Sequence, residues 1–275
     1  MRNIKKSIGL FAVAMTVTFL TSCQKDEITT PDTDAQFNLV DNNRAAEVDN
    51  AVDGSLTIID NGYQEGEEGR SQISSLFTDC TTITIEPNGD GGVITLDFGA
   101  GCTLNNGATV SGKIVLDYGA FVGGTRMINY TFIDYVYNQN GVMGGGQVFR
   151  EIANENGNPQ STVNETITVS FPNTDITATR TGMRVSEWVE GVGSGVWLDN
   201  VYHVTGSWDT LLTNGFTRSG NVTQKLVAKV SCPYLVSGVL DITQNSLSGT
   251  IDWGEGTCDN EATITINGEV YDLIL

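Results

Sequence analysis

The chain has 275 residues, 39% of them apolar, with 32 glycines and only 5 prolines, which suits one globular domain of ordinary core content. Its 14 Lys+Arg stand against 33 Asp+Glu, a formal net charge of −19, and this excludes nucleic acid and anionic lipid surfaces as direct electrostatic partners. The single histidine excludes a multi-histidine metal site.

Residues 1–22 divide into a basic start (Arg2, Lys5, Lys6), an apolar run from Ile8 to Leu20, and the small polar pair Thr21-Ser22 before Cys23. The 13 residues of the run are fewer than the ~20 needed to span a bilayer, so the segment predicts a secretory signal. Its removal leaves 11 Lys+Arg against 33 Asp+Glu, a net charge of −22.

Leu20-Thr21-Ser22-Cys23 resembles a bacterial lipobox, whose cysteine sulfur is joined to diacylglycerol and whose freed amine is acylated. Several acyl chains, at about 0.8 kcal/mol per buried CH₂, make a lasting membrane anchor. Gln24-Lys25-Asp26-Glu27 is similar to the signal following that cysteine in lipoproteins which Bacteroidota carry to the outer face of the outer membrane. The resemblance covers residues 1–27 alone. It implies an address, outer membrane and facing the cell exterior, and no activity.

Residues 23–70 read as a lipidated acidic linker, disordered except for a short helix over Arg44–Val52 that Gly54 would stop. The 47 residues after Cys23, if unstructured, would have a reach on the order of 40 Å.

From 71 to 275 the apolar pattern has period two, as in Ile94/Leu96/Phe98, Ile167/Val169/Phe171 and Val222/Leu226/Ala228/Val230. Asn-Gly turns separate the runs at 88–89, 106–107, 140–141, 156–157, 214–215 and 267–268. With no helical pattern here, the expectation is an all-β antiparallel meander forming a β-sandwich or a barrel-like sheet. A membrane-spanning barrel is disfavoured, because the outward phases read Thr, Asp, Lys and Ser. Met127–Tyr137 looks two-sided, with Ile128, Tyr130, Phe132 and Val136 on one face and Ile133, Tyr135 and Tyr137 on the other.

Residues 91–116 and 248–273 echo each other: strand, Asp-aromatic-Gly-x-Gly turn, cysteine, Thr-rich strand. Four cysteines remain beside Cys23, an even number that suggests two bridges in an exported protein and allows three pairings. The echo selects Cys80–Cys102 and Cys232–Cys258, each crossing one of the two units. Spacings beyond twenty residues disfavour thiolate metal binding.

Catalytic signatures are weak. Gly193-Ser194-Gly195 lacks the spacing of a nucleophile elbow. Glycine pairs at 99–101 and 254–256 lead into no helix that could present its N-terminus to phosphate. Asn88-Gly89-Asp90 lacks the remainder of a calcium loop, so neither metal nor cofactor is expected. His203 falls on the polar phase of its strand. Glu187, Glu190, Asp199 and Asp209 lie in neighbouring predicted strands, the raw material of a glycosidase pair whose separation no sequence supplies.

Trp188 and Trp197 align with polar neighbours, unlike Tyr202 and Trp208. This suggests a stacking platform for a sugar ring, with Glu187, Glu190 and Asp199 as hydroxyl acceptors; core packing is the alternative. The sequence therefore points to a lipid-anchored envelope protein with a non-catalytic binding module for glycan or another extended ligand. A structural or protein-interaction lipoprotein is the alternative, and a glycoside hydrolase runs third.

Overall fold

Alternating apolar residues and Gly/Asn turns produce thirteen strands, each hydrogen-bonded antiparallel to its neighbours in sequence, in one sheet of order β1 to β13. They are β1 (Thr82–Asn88), β2 (Gly91–Thr103), β3 (Thr109–Tyr118), β4 (Thr125–Tyr137), β5 (Asn140–Glu151), β6 (Gln160–Ser170), β7 (Thr177–Glu190), β8 (Val201–Leu212), β9 (Thr217–Lys229), β10 (Leu235–Gln244), β11 (Leu247–Glu255), β12 (Glu261–Ile266) and β13 (Glu269–Ile274). The structure, a computed structural model, describes residues 37–67 and 74–275. Residues 1–36, which carry the signal, the lipobox and Cys23, lie outside the described residues. All described residues belong to one compact unit, Ala35–Leu275.

The expected tether is replaced over most of its length by a 29-residue helix, α1 (Leu39–Glu67), whose apolar side chains from Ala45 to Tyr63 are buried. It touches β13 and every strand from β1 to β8, so the sheet winds around it and the domain begins before Leu39 rather than at 71. Asn38 caps its start, the side-chain oxygen accepting the Val40 and Asp41 amides at 3.0 and 3.3 Å. Gly54 does not stop the helix. A Cβ there would lie 2.2 Å from Tyr137 Cζ on β4, and one at Gly62 would lie 2.5 Å from Leu96 Cδ1 on β2. These glycines cost helix propensity but let the backbone approach the wall. Buried Ser55 and Asn61 donate to the carbonyls of Ala51 and Thr57, four residues back.

The two-sided reading of 127–137 also fails, for a local reason. Asp134 adopts φ +48 and the β4 pairing shifts register around it, a bulge that reverses the inward phase. Ile128, Tyr130 and Phe132 are buried before it, Tyr135 and Tyr137 after it, while Ile133 is exposed. Gly112 (φ +76) faces the bulge, where a Cβ would sit 2.2 Å from the Asp134 carbonyl oxygen.

Both disulfides form as the echo indicates, Cys80–Cys102 and Cys232–Cys258. The echoed turns match in detail: Asp97 accepts the Gly99 amide at 2.9 Å, and Asp252 accepts the Gly254 amide at 2.8 Å. The turn after β2 is likewise repeated after β8, with Asn106 and Asn214 side chains each accepting the amide two residues on at 3.1 Å. One expected turn moves: Asn138-Gln139, both at positive φ, make the β4–β5 hairpin, and Asn140-Gly141 belong to β5. Replacing Cys80 and Cys102 together by serine should lower stability by about 2–4 kcal/mol through the freed unfolded chain. Urea titration reads this, and an unchanged midpoint would contradict it.

Candidate functional site

The most elaborate constellation is internal. Helix acids meet arginines from distant strands, because Arg150, Arg180, Arg184 and Arg218 occupy buried positions of β5, β7 and β9. Asp49 accepts from Arg218 of β9 and, at 2.8 Å, from the Trp208 indole of β8, while Arg180 of β7 lies 3.3 Å away. Asp53 accepts from Arg184 Nε at 2.5 Å. Arg180 Nε lies 2.6 Å from Glu165 of β6, and its guanidinium stacks on the Trp208 ring at 4.0 Å. Further along, Ser161 donates to Asp60 at 2.7 Å, with Arg150 of β5 at 3.8 Å. Arg126 donates to the Tyr63 hydroxyl at 2.8 Å, and Gln64 to the Tyr202 hydroxyl at 2.8 Å. Burial pushes the Asp49 and Glu165 carboxyls above their ordinary range, with the neighbouring guanidiniums pulling back. Sealed from solvent, these groups join helix to wall.

The proposed platform is not exposed. Trp188 is 4% and Trp197 5% accessible, and Trp188 stacks on Tyr202 with centroids 5.9 Å apart. Trp188 lies on the regular inward phase of β7 with Ala178, Arg180, Arg184 and Ser186, all buried and ahead of the register shift that follows Trp188; its polar neighbours are themselves internal, Arg184 reaching Asp53 of α1. Trp197 belongs to a short 3-10 turn, 197–199, so strand phase does not apply to it. Glu190 is exposed, and Asp199 accepts the Ser194 hydroxyl at 2.9 Å. The five residues form no common stacking surface.

Glu187 instead anchors a loop. One carboxylate oxygen accepts the side-chain amides of Asn154, Asn156 and Asn158 at 3.0, 2.9 and 3.0 Å, clamping the β5–β6 connection to β7. These bonds favour the charged form and hold Glu187 down to about 2, the opposite of a general acid's raised value. Depression means its stabilisation is complete above the unfolded value of about 4.3 and is lost as pH falls through about 2. Glu187→Gln should therefore cost about 1–3 kcal/mol at neutral pH and flatten the wild-type stability loss between those pH values. Parallel pH profiles for both proteins would refute the clamp.

Two open grooves lie on the outer face. One, of about 480 Å³, crosses β7–β10, where Met183, Ser207, Asn221 and Asp241 form one cross-strand row and Thr181, Asp209, Ser219 and Thr243 the next. The other, of about 380 Å³, holds Asp252, Glu255, Asp259, Glu261 and Asp272 over β11–β13. Among the described residues no group of three or more His, Cys, Asp or Glu is arranged to hold a metal. His203 is half-buried opposite Glu187 and Val227.

The site and fold define an antiparallel meander built around a helix, with a buried cluster of paired acids and arginines at their junction. The chain matches no protein-family model, and neither curated proteins nor solved structures give a match.

Proposed function

We propose that the chain is a lipid-anchored protein of the cell envelope, held in the outer membrane through Cys23 and facing the exterior, whose β domain is a non-catalytic structural or protein-interaction module. The observation that carries the second half is that α1 fills the space inside the sheet where a small ligand would otherwise lie. The lipobox and the Lys25-Asp26-Glu27 stretch support the first half. Only 13 residues separate Cys23 from Phe37, a span of at most about 45 Å, so the domain stays close to its anchor. Radiolabelled palmitate should enter the wild-type protein and not Cys23→Ala; labelling of the variant would remove the anchor assignment. Added protease should reach the domain on intact cells, and protection lost only on lysis would place it on the inner side.

The β7–β10 groove favours a second reading, a weak binding module for glycan, since its rows of hydroxyl, amide and carboxylate groups suit an extended polar ligand. Retention in a glycan-affinity gel that is lost in Asn221→Ala would bring this reading to first place.

A further inference from the structure

Among the described residues the meander does not close, which leaves β1 and β13 as edges without a second strand partner. Natural sheets guard such edges with charge, proline or a covering segment, because each presents unpaired backbone groups to any passing strand. The two edges differ. β13 carries Glu269 and Asp272, and Phe37 stacks on its Tyr271 at 4.3 Å. β1 reads Thr82-Ile83-Thr84-Ile85, with its charge and proline, Glu86 and Pro87, confined to the far end, and only Ile83 is even half-buried. Ile85 is 43% exposed although its partner on β2, Ile94, is fully buried. In a chain with 33 acidic residues, an uncharged β-branched edge is the exception on the surface.

We propose that β1 is a self-association edge, pairing antiparallel with β1 of a second copy about a twofold axis at Thr84. In that register Ile83 of each copy opposes Ile85 of the other, Thr84 opposes itself, and Thr82 opposes Glu86. No like charges meet, and each exposed Ile85 gains an apolar cross-strand neighbour. β13 instead carries Glu269 and Asp272 within six residues and has Phe37 stacked on its Tyr271, so charge and cover select β1 over β13. The contact is isologous and closes at two copies, whereas β1 against β13 would leave an edge open and propagate. The partner is therefore a second copy of this chain.

The register makes the test specific, because opposed residues in an antiparallel pair lie within disulfide reach. Full-length chain carrying Thr84→Cys, oxidised in intact cells and run without reductant, should migrate mainly at twice the monomer mass and return to monomer on reduction. Thr82→Cys and Val270→Cys, at positions that are also exposed, should remain monomeric. Adding Ile85→Lys to Thr84→Cys should abolish the dimer with the unfolding midpoint unchanged. The proposal is overturned if Thr84→Cys stays monomeric, if Thr82→Cys or Val270→Cys cross-links as well, if a ladder above the dimer forms, or if the adduct contains another protein.

Discussion

Asp49→Ala is expected to cost about 3–5 kcal/mol of stability, near the upper limit for one substitution. The helix places this carboxylate where Arg218, Arg180 and the Trp208 indole all reach it, each buried. Its removal takes the carboxylate from Arg218, which keeps the Ala45 carbonyl, while Arg180 retains Glu165 and Asp53; a buried guanidinium that loses its counter-charge costs more than the pair contributes. Asp241→Ala, on the exposed outer face, should stay within about 0.5 kcal/mol of wild type. Urea titration of both variants distinguishes them, and equal midpoints would sink the internal pairing. The pH response has a sign as well. Asp49 and Glu165 are raised by burial, so protonating them favours the folded form, and their contribution falls as pH rises through the raised values. Acidification therefore does not remove their contribution, whereas that of the depressed Glu187 is lost as pH falls through about 2.

A chain beginning at Ser71 should fail to fold, while one beginning at Ala35 should fold as the full domain does. Cutting at 71 removes Ala45, Val48, Val52, Leu56, Ile59 and Tyr63 from the core and leaves Arg180, Arg184 and Arg218 facing a void. Near-ultraviolet circular dichroism reads this directly, through the packing of Trp188, Trp208 and Trp253. Native-like spectra from the shorter chain would mean that α1 is an accessory and not a core element.

The strands and both disulfides were legible in the sequence, because period-two alternation and Asn-Gly turns are local signals and the cysteine echo has a direct geometric meaning. Of the helix only the stretch Arg44–Val52 was, since its inward face carries Asp49, Asp53 and Asp60 where a pattern reader expects leucine. Acid in a core is tolerable only because arginines more than a hundred residues away arrive opposite it, as Arg180 and Arg184 do for Asp53, and no local window contains both partners. Gly54, Gly62 and Gly66 deepened the misreading, because glycine weakens helix signals while close packing against β2 and β4 requires it. Trp188 was misplaced for a related reason, because its phase-mates Arg184 and Ser186 are polar yet buried, and Trp197 because strand phase was carried into a 3-10 turn at 197–199. The Glu187 clamp has a signal that was there to read, the Asn154-x-Asn156-x-Asn158 spacing, but nothing local says which carboxylate it holds.

Amide hydrogen exchange along α1 tests most directly whether the sheet is built around this helix. Backbone amides from Ala46 to Tyr63 should exchange only through global unfolding, at the same limiting rate as Val163–Ile167 of β6 and Ala178–Arg180 of β7. Exchange of the helix amides orders of magnitude faster than those strands, in a domain that remains folded, would contradict it.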